Sequence, residues 1–138
     1  MLFDTNKNKG RAGMAIAIAY FGANGYTVSI PLNDTQDYDL IVDKDGLLSR
    51  VTVKATGHKT GEDSYECSLK SCGGTNGGIY GNVLSSSADL LFALREDGLM
   101  YLIPIKEITT KSVIKLVSKK NETAPKNTFD TSKYLVHI

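Results

Sequence analysis

Apolar residues near the start of the chain recur at helical spacing, at positions i, i+3, i+4 and i+7. This pattern predicts a helix over residues 6–24 that buries one face in the core. Asn6 or Asn8 is expected to cap its start, and Gly25 follows its end. The four apolar positions are Met14, Ala17, Ile18 and Phe21.

From residue 26 onward the apolar pattern changes to short alternating runs, which indicates strands. The predicted strands cover residues 26–30, 38–42, 48–55, 64–70, 89–94, 99–104, 112–117 and 134–138. The polar residues 43–46 predict a hairpin between the second and third strands. Residues 57–63 and the glycine-rich residues 72–81 predict loops, and residues 119–133 predict a polar surface segment.

Length and composition are those of one globular domain. The chain has 138 residues, of which 41% are hydrophobic and 22% charged. No apolar run approaches the ~20 residues that a membrane span requires. The N-terminal residues lack the order of a signal peptide, so we expect an intracellular, cytoplasmic protein. We divide the chain into a domain at residues 1–118 and a polar C-terminal tail at 119–138, which carries the last predicted strand.

Charge and cysteine content narrow the function classes. The net charge is +1, so any surface that binds nucleic acid must be local. Cys67 and Cys72 are the only two cysteines, and no further Cys or His stands at metal-ligand spacing. We interpret them as two reduced thiols of an intracellular protein, rather than a disulfide or half of a metal site.

The predicted hairpin carries the best candidate for chemistry. Asp39 lies at the start of its first strand and Lys54 near the end of its second, which would bring both side chains to one edge of a sheet. Metal-dependent cleavage of a phosphodiester uses a carboxylate to hold Mg²⁺ and a lysine to stabilise developing charge. The carbonyl of Val53 would supply a further oxygen. A solvated acid and an edge lysine on an ordinary hairpin remain the competing interpretation.

A series of short segments stands in a defined order along the chain, at residues 9–15, 24–31, 38–42, 50–54, 65–69, 89–92 and 101–108. Taken together, these segments resemble the PD-(D/E)xK endonuclease superfamily, and within it the small group I intron homing endonucleases and their prokaryotic relatives. The resemblance implies an α/β fold with a mixed central β-sheet flanked by helices, the restriction-endonuclease-like core. It also implies DNA, duplex or branched, as partner and Mg²⁺ or Mn²⁺ as cofactor. A homodimer or homotetramer encoded by a prokaryote, a phage or a mobile element is expected on the same ground.

Carried over residue by residue, the resemblance predicts an incomplete metal site. Asp39 matches the metal-binding aspartate of the family, and Lys54 matches its catalytic lysine. The first-helix glutamate falls at Met14, and the Glu or Gln of the third motif falls at Thr52. A thioether does not compete for a hard cation, and a hydroxyl is a weak, neutral ligand.

An acid from another position would repair this site. Asp37, Asp43 and Glu66 are the candidates along the predicted sheet. Asp37 is the best placed, two residues before Asp39, and is the predicted additional metal ligand. An ordinary turn acid is the competing interpretation of Asp37.

Basic residues cluster where the resemblance implies DNA binding, around the start of the first helix and along the strand rim. Free amide groups at a helix start favour anions. A solvated helix end and strand rim would account for the same residues equally well. The predicted DNA-binding residues are Lys7, Lys9, Arg11, Arg50, Lys59 and Lys70.

These observations lead to three hypotheses. The leading one is a DNA-binding relative of these nucleases that cleaves weakly or not at all. The second is an active Mg²⁺-dependent endonuclease, of the homing or junction-resolving type, that uses a displaced acid. The third is a former nuclease reused as a protein-interaction module with a protein partner.

Overall fold

The computed structural model describes residues 3–33, 35–73 and 79–138. The predicted first helix is confirmed as α1, Asn6–Ala23. The prediction of its cap was wrong: Thr5 caps the helix, and its Oγ1 accepts a hydrogen bond from the Asn8 N–H at 3.1 Å. This bond satisfies one of the first-turn N–H groups that have no partner inside a helix. Gly25 follows the helix with φ of 83°, a left-handed conformation that glycine adopts without strain.

The described part of the chain forms eleven strands after α1. They are β1 (Thr27–Ser29), β2 (Leu40–Lys44), β3 (Leu47–Thr56), β4 (Lys59–Gly61), β5 (Ser64–Ser68), β6 (Lys70–Gly73), β7 (Ile79–Asn82), β8 (Leu90–Arg95), β9 (Met100–Pro104), β10 (Val113–Val117) and β11 (Leu135–Val136). The loop predicted at 57–63 was wrong where β4 pairs with β5. The loop predicted at 72–81 was wrong where β6 pairs with β7, while residues 74–78 of that prediction lie outside the described residues.

Six strands form a mixed central sheet in the order β1-β2-β3-β8-β9-β11. Only the β3–β8 pair of this sheet is parallel among the described residues. A second sheet has the order β10-β5-β4, and β6 and β7 form a separate two-stranded ribbon. The predicted α/β class with a mixed central sheet is confirmed.

The two faces of the central sheet are covered differently. α1 packs on one face, over the cluster that contains Phe21, Leu40, Val42, Val51 and Phe92. The other face is covered by strands rather than by a second helix, because β5 and β10 each place alternate apolar residues on one side. These residues are Tyr65, Cys67, Ile114 and Leu116, all buried.

Gly13 allows α1 to lie directly against β3. A Cβ atom at this position would stand 3.3 Å from the Cβ of Ala55 and 3.4 Å from Cγ1 of Val53. Both distances are shorter than most real contacts of a Cβ atom, so a side chain here would displace its neighbours by a few tenths of an ångström. The missing side chain therefore fixes the close approach of helix and strand.

A buried arginine stands at the end of β8. Arg95 is 3% exposed and forms ion pairs with Asp97 at 2.6 Å and Asp63 at 3.2 Å. Its Nη1 also donates hydrogen bonds to the Tyr101 hydroxyl and the Leu116 carbonyl, both at 3.3 Å. Burial lowers the pKa of this guanidinium, but the bonds to Asp97, Tyr101 and Asp63 outweigh burial and raise the pKa above its usual range. The cluster ties β8 to the second sheet.

The C-terminal segment is held against the second sheet and the edge of the central sheet. The buried Thr131 donates its hydroxyl to the Lys115 carbonyl at 2.7 Å and accepts the Val117 N–H at 3.0 Å. β11 then pairs with β9. Within the described residues, the structure contains no helix with the length and apolar character needed to cross a membrane.

Candidate functional site

The β2–β3 hairpin owes its register to a two-residue turn. Asp45 and Gly46 have φ angles of 54° and 81°, the positive values that a tight hairpin turn requires. The Gly46 N–H donates to Oδ1 of Asp43 at 3.2 Å and closes the turn. The predicted hairpin is thus formed by residues suited to it.

The hairpin places Asp39 and Lys54 on the same face of the central sheet. Leu40 pairs with Val51, and both side chains pack beneath α1. Because side chains alternate along a strand, Asp39, one residue before Leu40, points away from the helix. Lys54, three residues after Val51, points the same way. The catalytic roles of the two residues stay predictions.

The carboxylate of Asp39 is partly buried and bonded to the neighbouring strand. Its Oδ2 accepts the Val53 N–H at 2.7 Å, and its own N–H donates to the Val51 carbonyl at 2.8 Å. Burial raises the pKa of the Asp39 carboxyl, and the bond from Val53 and the charge of Lys54 lower it only in part. Asp39 also lines a cavity of about 230 Å³ beside Tyr38.

The backbone carbonyl of Val53 faces the gap that contains Asp39. The carbonyls of Arg50 and Thr56 accept N–H groups at the two ends of β8, whereas the carbonyl of Val51 accepts the N–H of Asp39. Carbonyl directions alternate along a strand, so Val53 resembles Val51 and points toward the β2 side. Asp39 and this carbonyl therefore form a pair of neighbouring oxygen donors.

Lys54 lines a larger cavity of about 430 Å³ between β3, β5 and the start of α1. Its Nζ donates a hydrogen bond to the Lys70 carbonyl at 2.8 Å. The charge of Lys54 acts on the pKa of Asp39, yet the two side chains open into different cavities. In the described part of the chain they form no direct ion pair.

The two substituted positions supply no anionic oxygen. Met14 is half-buried and packs against the apolar cluster beneath α1. Thr52 is 7% exposed, and its hydroxyl donates to the Asp37 carbonyl at 3.5 Å. Both side chains are therefore engaged in packing or backbone bonding.

The three acids that would repair the site are placed differently. Asp37 accepts the Ser87 hydroxyl on Oδ1 and the Ser87 N–H on Oδ2 at 3.0 Å. Both oxygens of Asp37 are therefore already engaged, and these bonds lower the pKa of its carboxyl. Asp43 belongs to the hairpin turn, and only Glu66 among the three lines the cavity of Lys54.

This set of donors fits Mg²⁺ poorly. Mg²⁺ requires near-octahedral oxygen coordination and is usually held by one or two carboxylates. Asp39 lies beside the Val53 carbonyl, and one of its oxygens already accepts the Val53 N–H. Over the ranges that the structure describes, no three His, Cys, Asp or Glu side chains form a group that could hold a metal ion.

The predicted DNA-binding residues lie in three different surroundings. Lys9 lines the Lys54 cavity, and Lys70 contributes the carbonyl that holds Lys54. Arg50 lies 5.6 Å over the ring of Tyr38, on the side of Asp39. The exposed Lys59 and Arg11 line none of these cavities, and the side chain of Lys7 lies outside the described part.

Sequence reasoning did not place three polar residues that line the cavity, Thr56, His58 and Ser68, and His58 among them carries an ionisable ring. It lies between β3 and β4, and its Nδ1 is 3.8 Å from Oε2 of Glu66. No sequence signal indicated this position, since a histidine between glycine-rich turns has no periodicity. The buried Cys67 also lines the cavity, where burial raises the pKa of its thiol to about 11 and keeps it protonated at neutral pH. The side chain of Cys72 is not among those described.

Comparison with known proteins agrees with this architecture. A bacterial homing endonuclease, I-Ssp6803I, has a similar structure, with a TM-score of 0.71 and 25% sequence identity. The similarity covers 96% of this chain and 88% of that one. No curated protein matches the chain significantly. The family model described as PD-(D/E)XK endonuclease matches residues 4–135. The chain therefore belongs to the PD-(D/E)XK endonuclease family.

Proposed function

We propose that this protein binds duplex or branched DNA and cleaves it weakly or not at all. The family supports a nucleic-acid substrate, and the homing endonuclease of similar structure supports DNA in particular. The observation that carries the proposal is that, among the described residues, only Asp39 places a carboxylate at the expected ligand positions, since Met14 and Thr52 occupy the others.

The raised pKa of the Asp39 carboxyl points in the same direction. A metal-binding carboxylate needs to be ionised, and burial of Asp39 favours its neutral form. Low charge in the site reduces the affinity for a strongly hydrated cation. Binding of a phosphate group does not require an ionised Asp39, because Lys9 and Lys54 supply positive charge in the neighbouring cavity.

An active endonuclease is the second candidate, and the position of Glu66 favours it. Glu66 shares a cavity with Lys54, which neither Asp37 nor Asp43 does. In this alternative Glu66 would be the displaced acid, and Mg²⁺ or Mn²⁺ would be needed. Assembly into a homodimer or homotetramer stays a prediction for both candidates.

Plasmid nicking tests the proposal. We expect wild-type protein to leave supercoiled DNA intact, or nearly so, in Mg²⁺ and in Mn²⁺. Met14→Glu combined with Thr52→Gln restores both ligand positions and is expected to create nicking activity, which Lys54→Ala should then abolish. Circular dichroism would verify that each variant is folded.

Efficient nicking by wild-type protein would contradict the proposal. Its loss in Glu66→Gln would then favour the active enzyme with a displaced acid. A gel shift of labelled duplex and four-way junction DNA completes the test, and binding should weaken as salt rises. Absence of both binding and cleavage would leave the protein-interaction hypothesis.

A further inference from the structure

The cavity of Lys54 continues into a second one. This second cavity, of about 360 Å³, lies at the start of α1, and both cavities are lined by Lys9, Thr56 and His58. Together they form a trough along the end of β3. Lys9 and His58 therefore stand in the middle of the trough, where the two cavities meet.

The orientation of His58 leaves one ring nitrogen for a ligand. Its side chain is 70% exposed, and Nδ1 faces Oε2 of Glu66 at 3.8 Å. The two ring nitrogens point in different directions, so Nε2 faces away from Glu66. No described residue forms a hydrogen bond with this imidazole. Glu66 is therefore near His58 but does not hydrogen-bond to its ring.

The surroundings of this point favour an anion. Lys9 belongs to the beginning of α1, where first-turn N–H groups and the helix dipole add partial positive charge. Lys54 contributes a second ammonium group from β3. Three carboxylates oppose this charge: Asp4 and Glu96 line the second cavity, and Glu66 lies 3.8 Å from His58 in the first. The region favourable to an anion is therefore short, and we expect room for one phosphate group only.

We propose that Lys9 and His58 form a binding site for one backbone phosphate of DNA, next to the position that faces Lys54. This inference rests on the proposed function, because it assigns a contact to the DNA that the protein binds. Lys9 is one of the predicted DNA-binding residues, whereas His58 matches none of the positions carried over from the family and is the new element of the site. It would take a phosphodiester or, as the same chemistry, a free phosphate ion.

Two measurements test the site, one for each source of phosphate. In the first, inorganic phosphate is titrated into ¹⁵N-labelled protein, and the amide resonances of residues 9 and 58 are followed. In the second, the dissociation constant of a fluorescein-labelled 20-base-pair duplex is measured by anisotropy. The variants are Lys9→Gln and His58→Gln, with Lys126→Gln and His137→Gln as matched controls outside both cavities.

We expect phosphate to shift the resonances of residues 9 and 58, and each site variant to weaken duplex binding at least fivefold. The control variants should bind like wild-type protein. Unchanged duplex affinity in both site variants would overturn the proposal, even if inorganic phosphate still binds. Phosphate shifts confined to other regions would overturn it as well. A wild-type protein that binds no DNA would instead contradict the proposed function, while the phosphate titration still reports on the site.

Discussion

Two places in this protein combine a cation with carboxylates, and they differ in what surrounds the charge. Around Arg95 two aspartates converge on one guanidinium, and its described donors are paired with carboxylate, hydroxyl or carbonyl oxygens. Around Lys54 the described carboxylates of Asp39 and Glu66 form no ion pair with it, and the ammonium group is held by a backbone carbonyl. The first arrangement stabilises the fold. In the proposed function, the second provides positive charge to an anionic ligand.

Removal of the buried arginine should have the largest effect. We expect Arg95→Ala to lower the free energy of unfolding by about 3 kcal/mol, because breaking a buried ion pair leaves its partners without compensation. Urea denaturation would measure this change, with Lys126→Ala as the exposed control. A loss below about 1 kcal/mol would show that the Arg95 cluster does not stabilise the fold as the comparison requires.

Replacement of Lys54 should lower the free energy of unfolding less than replacement of Arg95 does, and it should weaken DNA binding. Lys54→Met loses the hydrogen bond to the Lys70 carbonyl, for which we expect about 1 kcal/mol. If Lys54 contacts one phosphate, the slope of log affinity against log salt should fall in magnitude by about 0.9. Duplex binding measured at several salt concentrations checks this, and Lys126→Met provides the reference. An unchanged slope would place Lys54 outside the DNA interface.

The smallest change in the free energy of unfolding is expected at Asp39, where substitution should stabilise the fold at neutral pH. Its pKa is raised in the folded protein, so the carboxyl contributes stability at low pH that is lost as pH rises through the folded-state pKa. Asp39→Asn keeps an acceptor for the Val53 N–H without the charge. The variant should therefore be more stable than wild type at pH 7, and this gain should disappear near pH 3.

Urea denaturation at both pH values measures the difference, and Asp45→Asn in the exposed turn is the control. A less stable Asp39→Asn variant at pH 7 would mean that the ionised carboxylate is favoured in the fold. The distinction between the Arg95 cluster and the Lys54 site would then be weaker than the geometry indicates.

Local patterns predicted the helix and the hairpin, and the reason is visible in the structure. The i, i+3, i+4 spacing of α1 and the turn at Asp45 and Gly46 depend on residues close together in sequence. The common face of Asp39 and Lys54 follows from the same hairpin. These parts of the fold needed no knowledge of distant contacts.

Contacts between distant segments were beyond this reasoning. Arg95 falls between two predicted strands, although its partner Asp63 lies 32 residues earlier, in the turn between β4 and β5. The segment 57–63, which contains Gly57 and Gly61, was predicted as a loop, whereas pairing with β5 makes part of it the strand β4. His58 joined the candidate site through that same pairing. In each case tertiary packing overrode local propensity.

Gly13 sets the distance between α1 and β3 as well as the contact between them. Since nothing but hydrogen separates that turn of α1 from Ala55 and Val53, the backbone distance between helix and strand is at its minimum. Lys9 stands one turn before Gly13 on α1, and Lys54 stands between Val53 and Ala55 on β3. The spacing of helix and strand therefore also sets the distance between the two ammonium groups. A single methyl group at this position would displace its neighbours by a few tenths of an ångström and would widen the proposed entrance for a polyanion, without altering any charged residue.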